Sequence, residues 1–512
     1  MTLSPRWWIV VACCLATAAK GIEPPPWVYR MPEVQAFNQG WAEFSLLMSL
    51  IRVGTLAFLL IGGVLGDIFG RKRLLLGGLL GLIVANVLSI LSPGLTWFLV
   101  MRVISGAAGA LIVPLSLTML FLAFADDFRA RTLAIAVYVS ITTTASLSAG
   151  LVGQLMYTLF DWRATVVPST LLAVAGWILI RRTTEESKVE QVHRFDVVGH
   201  ASWAMIALSA MIGLTVSQVA GYFASVIVLA ASLIVVLGVG FLWWWEFKTR
   251  DSLLSQSQVP RHALLVMIIY GVCMQLGFVG YVGLVRNVLI AVYDYGVVLA
   301  AIALAPLLLG MGLMTLFGAS RLMYLQARTV MSGGLLALSA VITLTMTTQA
   351  AAFYPLLALL LTAFGAANLA SVTAWTSLFF SVMPKDTIGV RTGISSSVFQ
   401  SGGAIGGALT AGLLVIFGLT NYEARLLEAG VDPVQIDGAL AVLNTVLNLA
   451  MADAGIDPAI SEKLIEGYHL AYLAAYDQVL LIVAAICLVG AAVMWFGLPE
   501  KNRRTLTVAE GG

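Results

Sequence analysis

The chain has 512 residues, 60% of them apolar and 11% charged. Soluble domains carry about 25% charged residues and a bilayer span takes about 20 mostly apolar ones, so this apolar stock fills roughly fourteen or fifteen spans. Those proportions exclude a water-soluble enzyme, a disordered chain, a nucleic-acid binder and a secreted disulfide scaffold, and the net charge of +2 calls for no anionic partner. The sequence is that of an all-α polytopic membrane protein.

In chain order, the apolar runs of helix length predict spans near 7–28, 43–66, 74–92, 96–122, 132–158, 164–181, 197–217, 222–245, 262–286, 293–318, 328–348, 353–380, 392–419 and 478–497. No cleavable signal peptide is expected, because the run after Arg6-Trp7-Trp8 contains Lys20 and ends in Glu23-Pro24-Pro25-Pro26 without a small-residue cleavage site. Several spans are dense in small residues that let helix backbones approach closely in lipid. Gly106, Gly109, Gly150 and Gly153 are expected to pack helices in this way, and Gly402-Gly403 with Gly406-Gly407 form a similar run. Cys13, Cys14, Cys273 and Cys487 lie inside apolar runs, where a thiol acts as a small hydrophobe. They suggest neither a disulfide frame nor a metal site.

Fourteen spans put both termini on one side. Of the 28 basic residues, twenty fall on that side, among them Arg71-Lys72-Arg73, Arg129, Arg131, Arg181, Arg182, Lys501, Arg503 and Arg504. Arg30, Arg163, Arg286, Arg425 and Lys463 fall on the other, and Lys20, Arg52 and Arg102 within spans. Cytoplasmic loops carry the excess of Lys and Arg, so both termini are expected in the cytoplasm of the plasma (inner) membrane. The connection at 420–477 is then external and acidic, with Glu423, Glu428, Asp432, Asp437, Asp453, Asp457, Glu462, Glu466 and Asp477 against Arg425 and Lys463. Apolar residues at helical spacing from Asp437 to Met451 predict short amphipathic helices there. The loop reads either as a solvated spacer or as a docking or gating element.

The second and third spans are joined by Gly63-Val64-Leu65-Gly66-Asp67-Ile68-Phe69-Gly70-Arg71-Lys72-Arg73. Glycines permit a tight turn between antiparallel helices. Asp67 can accept from a helix end or a basic residue, and Arg71 with Lys72 hold the turn at the cytoplasmic face. This stretch resembles the loop signature of the major facilitator superfamily. Arg102-Val103-Ile104-Ser105-Gly106-Ala107-Ala108-Gly109 resembles its fourth-span signature, and Asp161-Trp162-Arg163 the Trp-Arg that opens the sixth span in the drug:proton antiporter branch. Asp196-Val197-Val198-Gly199 begins two additional spans, an insertion typical of the fourteen-spanner members, and Met383-Pro384-Lys385 through Gly393 also looks like that branch. The resemblance implies two six-helix bundles at 1–190 and 251–512, two inserted spans at 191–250, a central cavity and alternating access. It also implies a cytoplasmic gate at Gly63, Asp67, Gly70, Arg71 and Lys72.

Two departures from the branch stand out. Its first-span Asp lies nine residues before the Pro of a Leu-Pro pair; here Met31-Pro32 fits that pair and Glu23 stands in the acidic position. Its fifth-span Gly-Pro-x-x-Gly-Gly corresponds to Ala149-Gly150-Leu151-Val152-Gly153-Gln154, without the proline. An acid in a span is costly and marks function by default, so Glu23 with Arg102 is the expected proton-coupling pair; the other reading of Glu23 is an interfacial acid beside three prolines. From Trp8 to Glu23 is about 22 Å at ~1.5 Å per residue, which sets Glu23, Arg52 and Arg102 at similar depth with Lys20 one turn away. One acid among three bases favours water or an anionic ligand nearby, and Arg102 also reads as a structural residue bonded to backbone or a neighbouring span. Lys20, Arg52, Arg286, Gln275 and Gln400 are the candidate cavity residues.

His193, His200, His262 and His469 show no metal-ligand spacing, and no metal, cofactor or catalytic residue is expected. Trp243-Trp244-Trp245 reads as an interfacial belt. The function expected is a monomeric secondary transporter, not an enzyme, that exports an amphipathic, drug-like solute (multidrug efflux) by proton antiport from the cell membrane. The alternative is a carrier of a lipid-like or organic anion with weak or no proton antiport.

Overall fold

The computed structural model describes residues 4–23, 55, 59, 62–63, 65–187, 196–219, 226–249, 261–318, 321, 325–347, 354–381, 388–428 and 458–498. Its helices are α1 (Pro5–Gly21), α2 (Arg71–Ile90), α3 (Leu95–Ala123), α4 (Phe128–Leu159), α5 (Val167–Thr183), α6 (Val197–Val219) and α7 (Val226–Lys248). They continue as α8 (Arg261–Ala291), α9 (Val297–Ala303), α10 (Ala305–Leu313), α11 (Ala327–Met346), α12 (Tyr354–Ser381), α13 (Ile388–Glu428) and α14 (Pro458–Gly497). Among the described residues, eleven helices are long and apolar enough to cross a membrane. The predicted second span lies mostly outside the described residues.

Local chemistry sets the helix ends. Pro5 opens α1, where its missing N–H costs nothing. The Asp127 carboxylate caps α4 by accepting from Ala130 N at 2.9 Å. Asp161 accepts from Trp162 N at 2.5 Å and from Arg163 at 2.8 Å. Arg163 also donates to the Ser92 carbonyl at 3.1 Å, tying the Trp162–Val166 turn to the far end of α2. The predicted span 293–318 is split at Leu304 into α9 and α10, with Pro306 in the first turn of α10. Proline lacks the donor that an uninterrupted helix would need there.

Helices α1 to α5 pack on one another, as do α8 and α10 to α14, while α6 lies against α7 and touches α13. The second group is built on close backbone approach. A methyl on Gly310 would fall 1.8 Å from the Thr362 carbonyl oxygen, and one on Gly365 2.1 Å from that of Leu307, so α10 and α12 interlock through two glycines. The two groups meet at the ends that share a side with Arg71. There Thr118 and Thr392 bring their hydroxyls to 2.8 Å, and Phe121 stacks on Phe380 with centroids 3.8 Å apart. The Arg131 guanidinium lies over Phe121 at 5.7 Å, and Arg391 donates to the Phe380 carbonyl at 2.7 Å. Further along, Ser140 on α4 bonds Thr315 after α10 at 2.7 Å.

The connection read from the sequence as 420–477 is shorter than expected. Helix α13 runs on to Glu428 and α14 already begins at Pro458. With 41 residues, α13 is about 62 Å long, twice the ~30 Å hydrocarbon thickness. The overhanging turns are supported by each other: Asn421 donates to Gln478 at 3.3 Å, and Tyr422 packs edge-on against Tyr468 at 6.1 Å. Hydropathy ends a span where polar residues begin, but a helix continues wherever a partner covers it. The stretch predicted to hold amphipathic helices, 437–451, lies outside the described residues.

Candidate functional site: a buried carboxylate between two cations

Glu23 sits just past the C-terminal end of α1, its N–H reaching the Lys20 carbonyl at 3.4 Å. Its carboxylate is only 12% exposed. On α3, Phe98, Arg102, Ser105 and Gly109 recur at intervals of four, three and four residues and therefore share a face. That face meets Glu23. Arg102 Nη1 donates to Glu23 Oε1 at 3.0 Å, and Ser105 Oγ donates to the same oxygen at 2.6 Å. Lys20 Nζ bonds the other oxygen, Oε2, and also donates to Ser105 Oγ at 3.2 Å.

Arg102 is the fixed member of this group. Its Nη2 donates to Asn86 Oδ1 at 2.6 Å and Ser89 Oγ at 2.8 Å, both on α2. Asn86 in turn donates to Ser169 Oγ on α5 at 3.0 Å. The guanidinium carbon lies 5.2 Å from the Phe98 ring centroid, and the side chain is 5% exposed. Arg102 is thus held by the neighbouring α2 and contacts the acid as well. The buried charges are paired, and both terminal nitrogens of Arg102 are hydrogen-bonded, which makes such a cluster tolerable in a membrane interior.

Of the other expected residues, Arg52 lies outside those described. Arg286 is half-buried and donates to its neighbour Asn287 at 3.3 Å. Gln275 on α8 is half-buried beside Gly402, whose added methyl would stand 3.0 Å from the Gln275 Cβ, and Gln400 is exposed. Gly106, Gly109, Gly150 and Gly153 are all buried. The Gly106 carbonyl accepts from Thr55 at 3.2 Å. Gly109 faces a side chain rather than a helix backbone: a methyl there would lie 2.6 Å from Lys20 Cε, 2.7 Å from Cδ and 3.0 Å from Cγ. Asn86, Ser89, Ser105 and Ser169 were missed by the sequence reading. Asn86 carried a signal, being an amide inside an apolar run; Ser105 lies one turn from Arg102.

A second cluster forms at the turn before α2. Asp67, followed one turn later by Arg71, accepts from that guanidinium at 2.8 Å through Nε and 2.7 Å through Nη2, and both residues are buried. Lys72 Nζ donates to the carbonyls of Arg181 at 3.1 Å and Thr184 at 2.5 Å, at the end of α5. Coming back the other way, the Glu186 carboxylate accepts the N–H groups of Lys72 and Arg73, each at 3.0 Å. These are otherwise unsatisfied donors at a helix N-terminus, where negative charge is favoured. The Ser187 carbonyl accepts from Arg71 N at 3.0 Å. Gly70 makes the fit possible: its φ is +100°, and a methyl there would be 2.9 Å from Glu186 Oε1. Gly63 lies in the buried helical stretch leading to Asp67. Among the described residues there is no group of His, Cys, Asp and Glu able to hold a metal ion.

Residues 27–407 match the Major Facilitator Superfamily. The chain belongs to that superfamily. As a superfamily transporter it is a multi-pass membrane protein and not an enzyme, of a kind that moves small solutes, often together with protons. It is 24% identical over 456 residues to the methyl viologen resistance protein SmvA of Salmonella typhimurium, covering 86% of this chain and 88% of that one. It is 26% identical over 294 residues to the drug efflux pump JefA of Mycobacterium tuberculosis, covering 56% of each chain. Its fold is shared with the human organic anion transporter MFSD10 (TETRAN), with a TM-score of 0.62 at 13% identity, over 96% of this chain and 100% of that one. The transporter thus belongs among superfamily members whose relatives export drugs or confer resistance to them.

Proposed function

We propose that this transporter is a fourteen-span drug:proton antiporter of the plasma (inner) membrane, with both termini cytoplasmic, that exports an amphipathic organic solute by alternating access. The observation that carries this reading is the Glu23 carboxylate, buried yet 12% exposed and held between Lys20 on its own helix and Arg102 on α3. A carboxylate that changes partners as a cavity opens is able to couple proton binding to transport. Arg102, anchored on α2, keeps that carboxylate in register. Residues 1–190 and 251–512 form the two rocking bundles, 191–250 the inserted pair, and the Asp67–Arg71 turn with Lys72 the cytoplasmic gate. The junction of Thr118 with Thr392 and Phe121 with Phe380 supports a resting form closed on that side. The unit of transport is the monomer.

A second reading, export of an organic anion, is favoured by the count of two cations against one carboxylate at Glu23. Proteoliposomes with an imposed pH gradient separate the two. Antiport is supported when gradient-driven uptake of a lipophilic cation is lost in Glu23→Gln. Uptake of a lipophilic anion that survives in Glu23→Gln but fails in Lys20→Ala sinks antiport and favours the anion carrier.

A further inference from the structure

The two cations at Glu23 are held very differently. Arg102 is 5% exposed and spans Glu23, Asn86 and Ser89 with its two terminal nitrogens. Lys20 is 16% exposed, and among the described residues its ammonium bonds Glu23 and Ser105. A guanidinium forked between several acceptors is immobile, whereas an ammonium on a four-carbon stem is a mobile point charge. The stem runs over Gly109, the residue of α3 where any side chain would collide with it: three of its carbons lie within 3.0 Å of where a β-carbon would be. Glu23 and Lys20 are also the more exposed members of the group, so a solute that reaches this site meets their pair before it meets Arg102.

We propose that Lys20 is a built-in competitor of cationic solute at Glu23. In the resting site its ammonium fills Glu23 Oε2; a solute cation binds by exchanging with it. The displaced ammonium keeps Ser105 within reach and swings toward the open side, while Arg102 continues to hold Oε1. Exchange of one cation for another leaves the charge at the carboxylate unchanged, which avoids stranding a bare buried anion at any stage. Gly109 is the positioning residue, since it keeps clear the path that brings Lys20 to the acid. The consequence is selectivity: a weakly hydrated, delocalised cation pays little desolvation to enter and out-competes Lys20, whereas a small hydrated cation does not.

This inference rests on the reading of Glu23 as the carboxylate that handles solute, and its test needs no gradient. Equilibrium binding of tetraphenylphosphonium to the purified full-length protein in detergent is compared for wild type, Lys20→Met, Gly109→Ala and Lys20→Met with Glu23→Gln. Removal of the competitor is expected to tighten binding about tenfold in Lys20→Met. Gly109→Ala, which keeps every charge but crowds the stem, is expected to show a smaller gain, and the double variant none. Unchanged or weaker binding in Lys20→Met overturns the proposal, as does failure of all four proteins to bind the probe. If Lys20→Met does not fold, Gly109→Ala decides alone, and unchanged or weaker binding there overturns it equally. Loss of proton coupling would appear in the proteoliposome assay and not in this one, so the two readings fail separately.

Discussion

Replacing Gly70 by alanine strains the turn before α2 in two ways. At φ +100° a side chain meets its own backbone, a conformation that costs about 1–3 kcal/mol outside glycine. The new methyl would also stand 2.9 to 3.2 Å from the Glu186 carboxylate. If that carboxylate withdraws, the N–H groups of Lys72, Arg73 and Ser187 lose their acceptor, a solvent-screened loss of about 1 kcal/mol for a charged helix cap. Together the change costs about 2–4 kcal/mol, or a fall of about 2–10 °C in Tm depending on whether the whole chain or one bundle melts as a unit. The assay is thermal unfolding in detergent of Gly70→Ala, Glu186→Ala and the double variant. With Glu186 already removed, Gly70→Ala should lose the collision and keep the backbone strain, a coupling of about 1 kcal/mol. Wild-type melting of Gly70→Ala, or an unchanged penalty in the Glu186→Ala background, would refute the reasoning.

Two further perturbations probe the rest of the frame. Arg102→Ala leaves Asn86 and Ser89 without their donor and Glu23 with one cation, and breaking a buried pair from one side costs about 3–5 kcal/mol; a Tm within about 1 °C of wild type contradicts the role given to it. Thr118→Cys with Thr392→Cys places thiols where hydroxyls now meet at 2.8 Å, so oxidation should stop transport and reduction restore it, while full transport by a cross-linked protein confirmed by mass spectrometry rules out this junction as one that must open. The native Cys13, Cys14 and Cys487 are buried and Cys273 is half-buried, so they need not be removed first.

The turn before α2 was legible because its residues are close in sequence: Asp67 and Arg71 are one helical turn apart, and Gly70 is the residue that a positive φ requires. The partner on the far side was not. Glu186 follows α5, more than a hundred residues later, in a stretch whose composition reads as an ordinary charged connection. The same holds at Glu23. Its neighbour Lys20 could be read from the chain, and Arg102 from its depth in a span, but Asn86, Ser89 and Ser169 acquire meaning only when α2 is laid against both α3 and α5. Gly109 stands against the Lys20 side chain, a neighbour that the burial of a glycine does not reveal.

The sequence by itself determined that this is a polytopic helical membrane protein, because apolar length is a local property that bilayer thickness reads one span at a time. It also determined the superfamily, because the glycine-rich turn from Gly63 to Arg73 is a short-range motif. Only the tertiary structure decided that one acid is shared by two unequal cations, one anchored on α2 and the other more exposed. Which helix faces which is set by long-range packing in lipid, where every span is apolar and hydrophobicity no longer distinguishes a partner from the solvent.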